Sequence, residues 1–449
     1  MKLLEIKNLR KSFSDKKVLD GVNLEIEKGE ISSIFGFSGE GKSTVLKIIC
    51  GILKQDGGEV FIKEKIINDT ESYKRRTPLV MDEPLLFPNM NVIENIEFAL
   101  KLNKNRKNHE YAKKSEDRAN KFYSPQEIME LLGITGLEKR YPHEISMGQA
   151  QRVSLARALM VNPDIILMDE PFSNLDIISK VKVRKLIKDI NKELNVSILL
   201  VTHDIEDVMN LSDKMFILNE GKIQDSGCPK DVLKKPSSID TAFLIGTENI
   251  LEGVISETRL SDNLMKIKVQ VNGESESESV NNKQLHNELK LNDYAKINHC
   301  KENNYSNNDY CENNYNIINS EIVIEADFNT NFETGERIYL AVRPEDIMIL
   351  REDRSMSAGV KENRFTGKIV SSIFTSRMME IIVESKENLK FKILIPFHAY
   401  EVMNLYEGKT VNISLKKSSI HLIKKKNTQI LGFHSCKIIK KHSFKIIDI

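Results

Sequence analysis

The sequence contains no long apolar run. No stretch of its 449 residues approaches the roughly 20 consecutive apolar residues that a helix needs to cross a bilayer. The first residues, MKLLEIKNLRKSF, also lack the apolar segment of a signal peptide. We therefore expect a cytoplasmic protein, in which any membrane role comes through a partner.

An excess of charge and paired cysteines are missing as well. The formal net charge is +1, so the chain has neither a basic footprint for nucleic acid nor an acidic tail. The five cysteines are scattered without metal-ligand spacing, which argues against a zinc site or a disulfide framework and fits a reducing compartment. Hydrophobic residues make up 40% of the chain, enough for the cores of two or three domains at this length.

The first part of the chain, residues 1–235, has an α/β pattern. Short apolar runs at Glu30–Phe35, Asp164–Met168 and Ser197–Thr202 alternate with amphipathic helical segments. The apolar residues run together rather than alternating, as expected for strands of a sheet that is covered on both faces. Residues 88–160 predict a helical subdomain, and Lys101–Phe122 is a polar insertion within it.

The second part, residues 236–449, predicts a small all-β domain. Short strands of alternating polarity occupy about 247–275 and 335–423. An Asn-rich insertion at about 276–330 separates them, and its composition is that of a loop without a core of its own. The basic extension 424–449 is compatible with an extra strand pair or with a surface helix.

A glycine-rich stretch opens a predicted helix directly after the first apolar run. It matches the pattern G-x-x-x-x-G-K-[ST] in full and in the required context. Its glycines let consecutive backbone N–H groups face phosphates, the lysine reaches the β- and γ-phosphates, and the serine hydroxyl is a ligand for Mg²⁺. The predicted ATP-binding residues of this loop are Gly36, Phe37, Ser38, Gly39, Glu40, Gly41, Lys42, Ser43 and Thr44.

The second half of a nucleotide-hydrolysing site follows at "IILMDEP". Asp169 ends an apolar strand and is a candidate Mg²⁺ ligand, and Glu170 is placed to polarise an attacking water. His203 ends the next strand, in "LLVTHD", where it can contact a γ-phosphate.

These motifs, in this order, resemble the ATP-binding subunit of an ABC transporter. The family signature L-S-G-G-Q reads "ISMGQ" here, Ile145 to Gln149. The resemblance implies ATP hydrolysis with Mg²⁺ and a head-to-tail homodimer, in which each signature closes on the ATP of the opposite chain. By position it assigns ATP contacts in trans to Ser146, Gly148 and Gln149, adenine stacking to Phe13, a bridge between subunits to Asp176 and γ-phosphate sensing to His203. For Phe13 a place in the core is the alternative.

Two positions depart from the family pattern. Met147 stands where the first signature glycine is usual, so its side chain has to point away from the phosphates. Asp82, in "VMDEPLLFP", stands where a glutamine usually touches Mg²⁺ beside the contact with the membrane partner. Aspartate can also ligate Mg²⁺, but it is shorter and adds a charge. Solvent exposure without a metal role is the alternative for Asp82.

"AVRPEDIMIL" resembles the small oligonucleotide-binding-like barrel, the TOBE domain, of ABC import ATPases. This resemblance implies a peripheral protein on the cytoplasmic face, working with permease subunits and a substrate-binding protein. Short motifs resemble the molybdate/tungstate branch, and we expect the barrel to bind an oxyanion through charge-assisted bonds. The residues proposed for that role are Arg364, Lys416, Lys417, Ser418 and Ser419.

Other substrates and another class stay open at this point. The same shared motifs suit an importer of sugar, polyamine or iron. A soluble ABC ATPase of translation or DNA repair is the alternative from a different class. Such chains usually carry two cassettes or a long coiled coil, and neither is found in this sequence.

Overall fold

The chain forms two compact units. A computed structural model describes residues 1–104, 123–269, 322–351, 362–375 and 378–425, and divides them into Met1–Thr247 and Glu248–Ile449. The polar insertion beyond residue 104, most of the Asn-rich insertion and the extension beyond residue 425 lie outside the described residues. The sequence predicts that the Asn-rich insertion reaches about residue 330, but residues 322–327 form a strand that pairs within the second unit and buries Ile322, Ile324 and Ala326 in its core.

A six-stranded sheet forms the centre of the first unit, in the order β10-β9-β3-β8-β7-β6. The five strands from β9 to β6 in this order are parallel to their neighbours, and only β10 is antiparallel to its neighbour, β9. Every residue of β3, β7 and β8 is buried, as their continuous apolar runs predict. The strands are β3 Ile31–Phe35, β6 Leu79–Val80, β7 Ile165–Asp169, β8 Ser197–Thr202, β9 Lys214–Asn219 and β10 Lys222–Gly227.

A second, antiparallel sheet belongs to the same unit, in the order β2-β1-β4-β5. It shares a buried cluster with the first helix and the large sheet, in which Leu9, Val22, Leu46 and Leu199 take part. The strands are β1 Lys2–Phe13, β2 Lys16–Glu27, β4 Gly57–Ile62 and β5 Lys65–Ile66.

Eight helices of the first unit are described. Those between β6 and β7 pack with the other side of the sheet in a separate buried cluster, to which Ile96, Val153 and Met168 belong. Their bounds are α1 Lys42–Ile49, α2 Val92–Lys104, α3 Pro125–Leu131, α4 Met147–Leu159, α5 Ile177–Leu194, α6 Ile205–Leu211, α7 Pro229–Lys234 and α8 Ile239–Leu244. No helix in the described ranges is long and apolar enough to span a membrane.

The first unit extends past residue 235, where the sequence placed its end. Val232 of α7 and Leu244 of α8 are buried in one cluster with Phe35 and Val208. Because these two short helices bury their apolar residues against the α/β unit, the division falls after Thr247.

The second unit is built from two five-stranded antiparallel sheets, in the orders β13-β12-β11-β14-β20 and β15-β19-β16-β17-β18. One buried cluster takes side chains from both sheets, including Ile267, Leu340, Ile381 and Ile413. This agrees with the predicted all-β barrel. The elements are β11 Asn249–Arg259, β12 Leu264–Val269, β13 Ile322–Asp327, β14 Arg337–Val342, β15 Ile347–Ile349, β16 Arg364–Thr375, β17 Met378–Ser385, β18 Lys390–Pro396, α9 Phe397–Val402, β19 Thr410–Leu415 and β20 His421–Lys424.

Two asparagines tie the sheets of the second unit to each other. The Asn249 amide donates to the carbonyls of Val342 and Lys392 and accepts the Lys392 N–H. Asn363 exchanges two hydrogen bonds with the backbone of Glu325 and also donates to Leu415 O. Since an amide carries both donors and an acceptor, each asparagine satisfies backbone groups that an edge strand, β18 or β13, leaves unpaired.

Candidate functional site

The glycine-rich loop lies between the end of β3 and the start of α1. Gly39 and Gly41 adopt φ values of 90° and 96°, a left-handed conformation that favours glycine. Gly41 precedes the first helical residue, Lys42. The first N–H groups of α1 are therefore directed into the loop, where a phosphate would be held.

Lys42 is folded back onto its own loop. Its ammonium donates to the carbonyls of Gly36 and Phe37 at 2.9 and 2.8 Å. The side chain is buried, and burial lowers the pKa of Lys42, against the opposing effect of the Glu170, Asp169 and Glu40 carboxylates. A buried ammonium held by two carbonyls is a ready partner for phosphate oxygens, which would give it a stronger, charge-assisted bond.

Ser43 and Asp169 come together at the sheet edge. The Ser43 hydroxyl donates to Asp169 Oδ1 at 2.8 Å. Burial raises the pKa of Asp169, the Ser43 hydrogen bond and Lys47 act against it, and the nearby Glu170 and Asp82 charges raise it further. A hydroxyl beside a buried carboxylate that is short of positive charge fits Mg²⁺, which takes one or two protein oxygens together with phosphate oxygens and water.

Glu170 and His203 form a second pair at the same edge. His203 Nδ1 and Glu170 Oε2 are 3.0 Å apart. Glu170 has φ 46°, and its backbone is fixed by bonds from its N–H to Val201 O and from the Ser173 N–H and hydroxyl to its carbonyl. Left-handed backbone at a glutamate is uncommon and costs free energy, and such positions concentrate at functional sites.

Asp82 follows β6, the strand beside β7, and is exposed. Its charge reaches Asp169, since it is one of the causes that raise the pKa of that carboxyl. The structure thus brings Ser43, Asp169, Glu170 and His203 together and places Asp82 within electrostatic reach of them. In the described ranges, no three His, Cys, Asp or Glu side chains are grouped so that they could hold a metal ion.

Helix α4 holds the segment that follows Asp82. Gln151 is buried and donates to Met81 O at 3.1 Å. Arg157 donates to the carbonyls of Pro84 and Leu85, and burial lowers its pKa. Neither residue belongs to a motif that the sequence reveals. A glutamine at a buried position of an amphipathic helix was the available signal, because a buried amide needs a partner.

Asn95 fixes the next part of this segment. Its fully buried amide accepts the Phe87 N–H and donates to the carbonyls of Phe87, Met90 and Asn91. Leu85 and Phe87 remain exposed, at 58% and 38%. The loop after β6 therefore presents two apolar side chains on an immobilised backbone.

The signature residues begin α4. The Ser146 hydroxyl accepts the backbone N–H of Gln149, and the side-chain Oε1 of Gln149 accepts the backbone N–H of Ser146, which is a capping box. Met147 is 48% exposed. Gly148 lies beside the start of α5, where a Cβ would be 3.9 Å from Leu175 and Ser179.

Asp176 caps α5 and accepts the Ser179 N–H at 3.0 Å. Hydrogen bonds from Ser179 lower the pKa of Asp176. Two helix N-termini, each with positive potential, thus lie side by side. The next exposed residues are apolar: Ile177 is 82% and Ile178 is 68% exposed.

Phe13 ends β1 and is 46% exposed, with the Lys11 ammonium 5.5 Å from its ring. This exposure removes the alternative of a core position and leaves the ring accessible for stacking.

One of the residues proposed for an oxyanion, Lys417, is engaged with carboxylates. The Lys417 ammonium lies 2.9 Å from Glu325 Oε2, and its backbone N–H donates to Glu362 at 3.1 Å. The Glu325 hydrogen bond raises the pKa of Lys417, helped by Glu362 and Asp327. Ser418 and Ser419 belong to the same short 3-10 turn, which follows Lys416, and Arg364 starts β16. A dianion would meet three negative charges here, so this geometry does not favour the expected oxyanion.

Comparison with known proteins places these features in a family. A family model described as "ABC transporter" matches residues 19–173. The spermidine/putrescine import ATP-binding protein PotA of Desulfitobacterium hafniense (strain Y51) is 38% identical over 253 residues, 56% of this chain and 70% of that protein. PotA of Clostridioides difficile (strain 630) is 30% identical over 425 residues, 95% of this chain and 99% of its own length.

Other relatives match a smaller share of the chain. The Fe(3+) ions import ATP-binding protein FbpC of Fusobacterium nucleatum is 38% identical over 250 residues, 56% of this chain and 64% of that protein. Among solved structures, an ATP-binding cassette of an ABC transporter in its ADP conformation is 28% identical, with a TM-score of 0.46, and covers 54% of this chain and 99% of its own.

The buried Asp169 yields a prediction on stability. Its pKa is raised in the folded protein, so folding binds protons there and the carboxyl destabilises the fold as the pH rises from about 3.9 through the raised pKa. Asp169→Asn should therefore raise the Tm of the nucleotide-free protein at neutral pH, by about 2–4 °C for each kcal/mol relieved. Thermal unfolding of both forms between acid and neutral pH measures this.

The same substitution should remove Mg²⁺-dependent ATP hydrolysis, because an amide is a poor ligand for Mg²⁺. The matched control is Asp15→Asn, at an exposed position between β1 and β2, which should leave both properties unchanged. A lower Tm for Asp169→Asn than for the wild type without Mg²⁺ at neutral pH would contradict the interpretation of this carboxylate as uncompensated.

Asp82 gives a second prediction. If Asp82 ligates Mg²⁺ in place of the usual glutamine, Asp82→Gln retains ATPase activity, whereas Asp82→Ala loses about 10- to 100-fold. Measuring the rate against Mg²⁺ concentration separates metal affinity from turnover, and the exposed neighbour Glu83→Ala is the control. Equal rates for all Asp82 forms would show that this residue is not a metal ligand.

Proposed function

The chain belongs to the family of ABC transporter ATP-binding subunits, and from this premise we propose that it is the ATP-hydrolysing subunit of a polyamine importer. The observation that carries the substrate class is the match to the spermidine/putrescine protein of Clostridioides difficile, which covers 95% of this chain and both units. The match to the Fe(3+) protein covers 56% of this chain. Polyamine is therefore favoured over iron.

The molybdate/tungstate interpretation is not carried forward. It rests on short motifs in the second unit, while the relatives described above are polyamine and Fe(3+) import proteins. The second unit also surrounds Lys417 with the Glu325 and Glu362 carboxylates, which oppose the binding of a dianion.

The proposed chemistry uses residues of the sheet edge. Lys42 would exchange the carbonyls of Gly36 and Phe37 for phosphate oxygens. Ser43 and Asp169 would hold Mg²⁺, which supplies positive charge to the phosphates when bound. Glu170 would accept a proton from the attacking water. His203, whose Nδ1 lies 3.0 Å from Glu170 Oε2, would orient that carboxylate and contact the γ-phosphate.

We propose a head-to-tail homodimer for the complete site. Ser146 and Gln149 cap α4, Asp176 caps α5, and the two N-termini lie together. A surface of positive helix ends suits the phosphates of a nucleotide held by another chain. The exposed Ile177 and Ile178 beside it are suited to burial against a second copy.

The permease contact is proposed for the loop after β6. Leu85 and Phe87 are exposed there, on a backbone that Arg157 and Asn95 hold in place. A rigid apolar projection beside Asp82 would connect the partner to the Mg²⁺ site. The subunit would thereby work on the cytoplasmic face of the membrane, with permease subunits and a substrate-binding protein.

Transport measures the proposed function directly. Proteoliposomes containing the chain with its permease subunits should take up labelled spermidine when ATP and the binding protein are supplied. Glu170→Gln should lower ATP turnover and uptake together, by about 10²–10⁴-fold as expected for loss of a general base. ATP-driven uptake of Fe(3+) or molybdate without spermidine uptake would reject polyamine as the substrate, but the role as the ATP-hydrolysing subunit of an importer would stand.

ATP-dependent dimerisation is the expected companion result. Glu170→Gln should bind ATP without releasing it as products, so a dimer should accumulate in equilibrium sedimentation with MgATP. The control is Lys42→Ala in the same background, which removes a charge-assisted phosphate contact and should leave monomers. A purely monomeric Glu170→Gln protein at saturating ATP would reject the shared site.

A further inference from the structure

Glu40 puts a negative charge inside the glycine-rich loop of residues 36–44, which we call the phosphate loop. It lies between Gly39 and Gly41, so the loop turns tightly on both sides of it. A carboxylate has the same sign of charge as a polyphosphate and therefore repels it. The chemistry proposed above uses only the backbone of this residue, which leaves the side chain without an explanation.

The carboxylate has a defined partner on another element. Glu40 Oε2 accepts the backbone N–H of Glu220 at 2.5 Å. Glu220 and Gly221, with φ 49° and 72°, form the two-residue turn between β9 and β10. Positive φ at both positions is typical of a tight hairpin whose shape matches the twist of its strands. The backbone N–H that donates to Glu40 is thus presented by a rigid turn.

Loop and turn are packed against the same strand, β2. Gly221 O accepts the Asp20 N–H at 2.9 Å. A Cβ on Gly221 would lie 2.7 Å from Val18 O, and one on Gly41 would lie 2.9 Å from the Val18 side chain. Because β2 approaches both segments this closely, the hydrogen bond of Glu40 completes a three-way contact around the outer side of the phosphate loop.

The charge of Glu40 also reaches the phosphate-binding lysine. Together with Asp169 and Glu170 it raises the pKa of Lys42 against the larger lowering by burial. Asp169 and Glu170 have roles in the proposed hydrolysis, whereas Glu40 does not. Its charge therefore offsets part of the positive potential of the loop.

We propose that Glu40 is a positioning residue that anchors the phosphate loop to the β9–β10 turn, and that its charge lowers the affinity of the loop for nucleotide. The inference rests on the proposed ATP-binding function and adds to it a residue that sets the affinity. A weaker-binding loop that is fixed in shape releases products without reordering, since its geometry does not depend on bound phosphate.

Four forms separate the two effects. The wild type has charge and anchor, Glu40→Gln keeps an acceptor oxygen without the charge, Glu40→Asp keeps the charge but is too short for the turn, and Glu40→Ala has neither. Calorimetric titration with MgATP should rank Glu40→Gln tightest and Glu40→Asp weakest. We expect Glu40→Gln to bind about three- to tenfold tighter than the wild type at low salt and Glu40→Ala about tenfold weaker than Glu40→Gln.

Salt and a matched control distinguish this from a merely structural effect. The advantage of Glu40→Gln should shrink between about 50 mM and about 500 mM salt, because screening acts on the charge. The gap between Glu40→Gln and Glu40→Ala should persist. The control Glu193→Gln makes the same charge change at an exposed side chain near the end of α5 and should leave ATP affinity unchanged.

Two results overturn the inference. Equal affinities of Glu40→Gln and Glu40→Ala would remove the anchor, and a Glu40→Gln affinity equal to that of the wild type at low salt would remove the effect of the charge. Failure of the wild type to bind ATP would instead reject the proposed function itself.

Discussion

The hydrogen bond between Ser43 and Asp169 joins the two halves of the site. Ser43 belongs to α1, which starts after β3, and Asp169 ends β7, which is separated from β3 by β8. All three strands are parallel, so their carboxyl ends meet at one edge, where an open α/β sheet binds its ligand. Glu170 and His203 meet at the same edge, because they follow the carboxyl ends of the neighbouring strands β7 and β8.

The other end of α1 is fixed as firmly. The buried Arg75 guanidinium donates to the carbonyls of Ile48 and Ile49 at the end of the helix, and to those of Asn68 and Thr70. A cation at a helix C-terminus satisfies carbonyls that have no partner within the helix. The helix that presents Lys42 and Ser43 is thus held at both ends by contacts within the protein.

The site combines this rigidity with uncompensated charge. Asp169 is buried near Glu170 and Asp82, with its pKa raised, and Glu170 adopts a left-handed backbone conformation. Both features cost stability in the free protein, and a cation with a polyphosphate would relieve the electrostatic part. This is the expected pattern for a binding site that is formed in advance, in which ligand binding and fold stability are linked.

The sequence by itself determined the phosphate loop, the acidic pair and the buried parallel strands, because each is a local pattern. Glycines permit the backbone of the loop, and β3, β7 and β8 read as continuous apolar runs since both faces of their sheet are covered. Only the tertiary structure decided which side chain meets which backbone group. Glu40 meets the Glu220 N–H and Gln151 meets the Met81 carbonyl, and a backbone N–H or carbonyl leaves no mark in the sequence. The ion pair of Lys417 with Glu325 likewise joins residues far apart in the chain. Long-range packing also sets the unit boundary and the surroundings of Lys417, since the burial of α8 and the nearness of carboxylates do not follow from local composition.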